Sequence, residues 1–121
     1  MNSIKKMYLK VEYGSRGEME VIGLEETSAS EISDWLDKIV EDCEDEDEKE
    51  YYEEFMYISE NKFGVLTVGV SEEEAYCFID YELNKEKVDK ILEIDKLCQE
   101  EKMEWIEGDV IVNDILQELD L

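Results

Sequence analysis

The excess of carboxylates is the feature of this sequence that most restricts how it can fold. Its 121 residues include 36 Asp and Glu but only 12 Lys and Arg, which gives a formal net charge of −24 at pH 7. Self-repulsion on this scale destabilises a compact state. Hydrophobic residues nevertheless make up 43% of the chain, enough apolar surface to offset chain entropy. We therefore expect a folded protein with a single domain spanning residues 1–121.

The negative charge is concentrated in the middle of the chain. Residues 41–83 contain 16 acidic and 2 basic residues, a net charge of −14. This concentration favours a dedicated acidic surface over a general adaptation to high salt. An intense negative potential attracts cationic partners and repels nucleic acid and anionic membranes. We therefore expect a basic protein partner and no direct binding to nucleic acid or membrane; the oligomeric state is left open.

Alternating apolar and polar residues predict an antiparallel sheet. Gly14–Gly17 is typical of a hairpin turn, and the later segments form a three-stranded meander. The predicted strands are residues 4–13, 18–24, 51–59, 65–70 and 75–83. The predicted core residues of the meander are Leu66, Val68, Val70, Cys77, Ile79 and Tyr81.

Two helices are predicted to pack on this sheet. Ser28 and Glu31 fit a capping box at the start of the first helix, whose apolar residues recur at helical spacing. That stripe consists of Ile32, Trp35, Leu36, Ile39, Val40 and Cys43. Asn84 is placed to cap a second helix that ends near Lys102. The predicted fold class is α+β, with an antiparallel sheet of about five to six strands packed against two helices.

The C-terminal residues have a weaker pattern. Glu107-Gly108-Asp109 resembles a turn between short strands at residues 104–106 and 110–112. Asn113 could then cap a last helical turn containing Ile115, Leu116 and Leu119.

The acidic run, residues 41–54, contains ten acids and one lysine. As a helix it would span about 21 Å, roughly one acid per 2.1 Å, and as an extended chain about 46 Å, roughly one per 4.6 Å. Duplex DNA carries about one charge per 1.7 Å of axis, and each strand about one per 3.4 Å. In either conformation the charge density of the run is of the same order as that of nucleic acid.

The residues predicted to bind a partner are the acids of this run, the aromatic pair beside it, and the glutamate triplet of a predicted hairpin loop. They are Asp42, Glu44, Asp45, Glu46, Asp47, Glu48, Glu50, Tyr51, Tyr52, Glu53, Glu54, Glu72, Glu73 and Glu74. Rigid aromatic side chains are enriched at binding hot spots. The alternative is a solvated run that only aids solubility, with the aromatic residues in the core and the triplet a polar turn.

Catalytic and metal-binding motifs are not found in the sequence. The chain has no histidine, which excludes Ser-His and Cys-His nucleophile pairs, and the acidic run lacks the mid-loop glycine of an EF-hand. We therefore predict no enzymatic activity, cofactor or specific metal site. The three cysteines are widely spaced and lie in apolar patterns, which is typical of buried thiols in a reducing compartment. We expect a cytoplasmic protein, because no signal-like or membrane-spanning apolar run occurs.

In composition the chain resembles two groups of small acidic inhibitors: bacterial immunity proteins that neutralise nuclease toxins, and phage nucleic-acid mimics that block restriction or CRISPR effectors. The resemblance involves no motif and assigns no residue a role. It implies a non-catalytic inhibitor that blocks a basic, nucleic-acid-handling partner. Two alternatives remain: an interaction or assembly module whose acids serve solubility, and a less favoured carboxylate–metal enzyme.

Overall fold

The computed structural model describes residues 4–14 and 19–120, which form five antiparallel strands and four helices. In chain order the elements are β1 Lys6–Gly14, β2 Met19–Thr27, α1 Ala29–Glu41, α2 Glu46–Phe55, β3 Tyr57–Glu60, β4 Val65–Gly69, β5 Glu74–Asp80, α3 Lys85–Gln99 and α4 Trp105–Gln117. The predicted α+β class, with an antiparallel sheet built from an N-terminal hairpin and a three-stranded meander, is confirmed.

The strands lie in the order β2-β1-β5-β4-β3. The hairpin joins the meander through β1, which pairs with β5 so that Leu9 faces Ile79. Gly14 ends β1, and the rest of the predicted turn lies outside the described residues. A bulge in β2 near Gly23 shifts the register between the two hairpin strands.

Both faces of the sheet are covered by helices. On one face Leu9, Val11 and Ile79 pack against α3 and α4, whose buried residues include Ile91 and Leu116. On the other face β-strand side chains pack against α1; this second cluster consists of Tyr8, Ala29, Ile32, Leu36, Leu66, Val68, Val70 and Phe78. Because both faces are buried, β4 and β5 lack the strict alternation of a half-exposed strand. The described residues contain two full helices, α2 and α4, beyond the two that the sequence predicts to pack on the sheet.

The predicted start of α1 is confirmed. Ser28 Oγ accepts a hydrogen bond from the Glu31 backbone N–H at 3.1 Å. The Glu31 carboxylate accepts from Thr27 Oγ1 rather than completing a capping box on Ser28. Helix α3 also lies where it was predicted, but Asn84 does not cap it with its side chain. That amide donates instead to the backbone carbonyls of Phe63 and Asp80.

Parts of three predicted strands are helical in the structure. Residues 51–55 belong to α2, and of the predicted 51–59 strand only residues 57–59 are extended, as part of β3. The short strands and turn predicted over residues 104–112 are the first half of α4, and Asn113 lies inside that helix. Gly108 resembles a turn residue in the sequence, but in the structure it allows two helices to pack closely. A Cβ at Gly108 would clash with Cys98 Sγ, so glycine lets α4 lie close to α3.

Candidate partner-binding surface

The acidic run begins at the last residue of α1, continues through residues 42–45 and covers α2 as far as Glu54. Helix α1 ends at Glu41, where carboxylates oppose the helix dipole. Asp45 then starts α2: its side chain accepts a hydrogen bond from the Asp47 backbone N–H at 3.0 Å. Acids in a first helical turn interact favourably with the dipole, and Glu46, Asp47 and Glu48 occupy that turn. The acids therefore start α2 for the same electrostatic reason that they end α1.

The outward side of α2 carries a stripe of carboxylates. Glu46, Glu50, Glu53 and Glu54 are exposed and recur at positions i, i+4, i+7 and i+8, which lie on one helical face. The ten residues of α2 hold six acids and one lysine, a net charge of −5. Over a helix of about 15 Å this is about one net charge per 3 Å, close to the 3.4 Å spacing along one DNA strand.

The inward side of α2 is aromatic and half-buried. The Tyr51 ring lies 5.5 Å from the Tyr52 ring and 4.9 Å from the Phe55 ring, measured between centroids. None of the residues of α2 is fully buried, so the helix lies at the protein surface. These three rings belong to neither hydrophobic cluster of the core, contrary to the alternative interpretation, and they stay partly accessible.

Tyr51 also connects α2 to the glutamate triplet. Its hydroxyl accepts a hydrogen bond of 3.3 Å from the Glu72 backbone N–H. Glu72 and Glu73 are exposed in the loop between β4 and β5. Glu74 begins β5 and accepts a hydrogen bond from the Tyr76 hydroxyl. The structure therefore brings together the two predicted acidic segments, residues 42–54 and 72–74, which we call the acidic surface.

Among residues 4–14 and 19–120, no basic side chain lies within ion-pair distance of the acids of the acidic surface. The ion pairs found among residues 4–14 and 19–120 use other carboxylates, such as Glu31, Asp80 and Glu100. Lys49, the one lysine within the run, is half-buried in α2 and takes part in none of those pairs. The described basic residues consequently neutralise little of the negative potential of this surface.

An aromatic group that sequence patterns did not assign to the site lies beside the triplet. Trp35 belongs to the stripe predicted to pack on the sheet, but it is 37% exposed. The centroid of its ring lies 5.7 Å from that of the Tyr76 ring. Lys10 Nζ lies over both rings, at 5.6 and 4.8 Å from their centroids. A cation within about 6 Å of such a ring is attracted to its face. In the sequence, the position of Trp35 at the margin of the apolar stripe of α1 is the one feature that indicates an exposed ring.

The cysteines are free and buried, as predicted. Burial raises the thiol pKa of Cys43 and Cys98 above its usual value and raises that of Cys77 to about 11. A thiolate is the reactive form of cysteine, so these thiols are not suited to nucleophilic chemistry at neutral pH. Within the described ranges no three acidic or cysteine side chains converge in a way that could hold a metal ion.

None of the helices in the described part of the chain combines the length and apolar character needed to span a membrane. Comparisons with protein-family models, with curated proteins and with solved structures give no match.

Proposed function

We propose that this protein is a non-catalytic inhibitor whose acidic surface occupies the basic, nucleic-acid-binding site of a partner protein. The observation that carries the proposal is the contact between α2 and residues 72–74. Through the Tyr51–Glu72 hydrogen bond, two acidic segments that lie apart in the sequence form one surface. A surface of this kind presents charge at a density comparable to a nucleic-acid strand.

The fixed geometry of the carboxylates supports this function over a purely solubilising role. Helix α2 is capped by Asp45 and attached through Tyr51, so its charges are held in place before binding. A preorganised surface loses less conformational entropy on association than a flexible tail does. Unpaired carboxylates also need not break internal ion pairs when a basic partner docks. Long-range attraction should give fast, salt-sensitive association.

Exposed aromatic area beside the charges supports a specific interface. The Tyr76 hydroxyl donates to Glu74 and the Tyr76 ring contacts the Trp35 ring, while Tyr57, which begins β3, is 51% exposed. Tryptophan and tyrosine are over-represented at hot spots. The acids would supply attraction and the rings would supply contact area, so the proposed interface has both components.

The proposal includes a cytoplasmic location, in keeping with three buried free thiols. Two settings fit the same chemistry: an immunity protein that neutralises a nuclease toxin, and a phage mimic of nucleic acid that blocks a restriction or CRISPR effector. Both partners would present a cleft lined with Lys and Arg.

The test is charge neutralisation with a matched control. One variant replaces Glu46, Glu50, Glu53 and Glu54 by Gln. The control replaces four exposed acids outside the acidic surface, Glu26, Glu82, Glu86 and Glu101, by Gln. Both variants lose four negative charges. A partner captured by the wild-type chain at low salt, and shown to bind or cleave nucleic acid, is then titrated with each variant in a competition assay against DNA and RNA.

We expect the α2 variant to inhibit the partner at least tenfold more weakly than the wild type. In the control, inhibition should weaken less, because only the long-range attraction is reduced. Equal inhibition by both variants would contradict the proposal. Protection of cells that carry the partner as a toxin would identify an immunity protein, whereas rescue of phage growth on a restricting host would identify a mimic. A partner that has no nucleic-acid-binding activity would favour an interaction module instead.

A further inference from the structure

The outer side of α4 exposes apolar residues where a surface helix is ordinarily polar. Ile106 is 82% exposed, Val110 57% and Trp105 54%. Ile106 is the most exposed of the large apolar side chains in residues 4–14 and 19–120. Contiguous exposed apolar residues on a folded domain mark interaction sites.

These residues form a stripe with a defined direction. Ile106 and Val110 are separated by four residues, and the same helical face continues through Asn113 and Gln117, which are exposed and uncharged. Rows of side chains four residues apart are the ridges that pack into the grooves of another helix. Beside the stripe, the Trp105 side chain borders a cavity of about 90 Å³ that is also lined by Val21 and Asp95. The stripe therefore has the form of a helix-binding face.

The stripe is surrounded by carboxylates. Glu104, Glu107, Asp109 and Asp114 are exposed around it. Residues 100–120 contain eight acids and one base, and that base, Lys102, is 3.1 Å from Glu100. An apolar face with an acidic margin complements a helix that has an apolar face and basic flanks.

The platform beneath the stripe is firmly packed. Val112 and Leu116 of α4 are buried in the core, as is Leu119 just after the helix. Asn61 Nδ2 donates a hydrogen bond of 2.8 Å to the Leu119 carbonyl. Gly108 lies against Cys98 of α3. The exposed side chains are thus held by a helix that is anchored on its opposite side.

We propose that the outer face of α4 is a docking surface for a basic amphipathic helix of a partner protein. It lies on the face of the sheet opposite α1, the helix that α2 contacts, so it is separate from the acidic surface. A second copy of this chain is a poorer occupant, because self-association through α4 would oppose two acidic margins on chains that each carry −24.

The experiment uses the full chain with Trp35→Phe, so that Trp105 is the remaining tryptophan and reports on the stripe. The probes are a synthetic amphipathic helix of Leu and Lys and a scrambled peptide of the same composition. At about 0.15 M salt we expect the amphipathic peptide to shift the Trp105 emission to shorter wavelength and to bind at least about tenfold tighter than the scrambled one.

The decisive variant carries Ile106→Asn and Val110→Asn. These changes keep the charge and have a similar helix propensity, and circular dichroism checks the fold. We expect the variant to bind the amphipathic peptide about tenfold or more weakly. The control, Leu83→Asn, removes an apolar side chain that is 67% exposed between β5 and α3, and binding should be unchanged.

Three results would overturn the proposal. The first is equal affinity for the two peptides, which would mean attraction by charge alone. The second is full binding by the double variant. The third is a dimer in sedimentation equilibrium that the double variant dissociates, since the occupant would then be a second copy of the chain.

Discussion

The hydroxyl of Tyr51 accepts a hydrogen bond from the backbone N–H of Glu72, 21 residues further along the chain. Tyr51 lies on the inner side of α2, and Glu72 lies in the loop between two strands of the sheet. One phenol oxygen therefore sets the position of an acidic helix relative to an acidic loop.

Removing the Tyr51 hydroxyl should loosen the loop. We expect Tyr51→Phe to cost about 0.5–1 kcal/mol in the free energy of unfolding, because an exposed hydrogen bond lies at the lower end of the usual range. The amide hydrogen of Glu72 should exchange faster, which NMR can measure directly. Tyr52→Phe is the matched control, since it removes a hydroxyl from the same helix. Unchanged exchange at Glu72 would show that the bond does not hold the loop.

Neutralising the centre of the carboxylate stripe should stabilise the fold. Glu50 has Glu46 and Glu54 as neighbours four residues away on the same helical face. Like charges at this spacing destabilise a helix by about 0.2–0.5 kcal/mol per pair. We therefore expect Glu50→Gln to raise the free energy of unfolding by about 0.4–1 kcal/mol at low salt, measured by urea denaturation.

The effect of Glu50→Gln should shrink as salt is added, because salt screens exposed charges. Lys49→Gln, in the same helix, should change stability in the opposite direction. If Glu50→Gln were destabilising, the carboxylate would have a structural partner, and the interpretation of the stripe as unpaired charge would be wrong. A stabilising result would show that the native glutamate lowers the stability of the fold while it raises the charge density of α2.

Replacing Gly108 by alanine should destabilise the protein, although alanine is usually preferred over glycine in a helix. Alanine in a helix interior is ordinarily about 1 kcal/mol more favourable than glycine. Here the new Cβ would clash with Cys98 Sγ, and overpacking of this kind costs about 1–3 kcal/mol. We expect Gly108→Ala to lower the thermal midpoint. Adding Cys98→Ala should recover part of the loss, and purely additive effects of the two changes would exclude the clash as the cause.

Alkaline stability should report on Cys77. Burial raises the pKa of this thiol from 9.0 to about 11, so above pH 9 the unfolded chain releases a proton that the folded chain retains. The free energy of unfolding should therefore fall between these two pKa values, by on the order of 1 kcal/mol from about pH 8 to about pH 10. Cys77→Ala should lack this contribution, which parallel urea titrations would measure. Equal pH dependence in the two proteins would contradict the assignment.

The strongly periodic parts of the fold could be predicted from the sequence. The β1–β2 hairpin shows alternation, and α1 combines a capping serine with apolar residues at helical spacing. Helix α2 was missed because its tyrosines and phenylalanine favour a strand locally, whereas its capping aspartate and acidic first turn favour a helix. Helix α4 was missed because Gly108 resembles a turn residue. Its real function there is the close approach to Cys98, which depends on tertiary packing.

The acids of the candidate surface could likewise be predicted from composition, but their arrangement could not. Residues 42–54 and 72–74 are joined by Tyr51, and that contact depends on how α2 packs at the sheet end. The exposed position of Trp35 beside Tyr76 depends on how α1 packs against β5. Local patterns give the composition of a surface, whereas the chain path determines which parts of it are adjacent.

The position of β1 between β2 and β5 has a kinetic consequence. β1 pairs on one edge with β2, its neighbour in sequence. On its other edge it pairs with β5, where Tyr8 lies opposite Asp80. This second pairing requires closure of the long chain segment between the two strands. Closing such a long segment is the slow kind of step in folding. The segment includes α2, whose carboxylates repel one another when brought together. We therefore expect moderate salt to accelerate refolding of this chain.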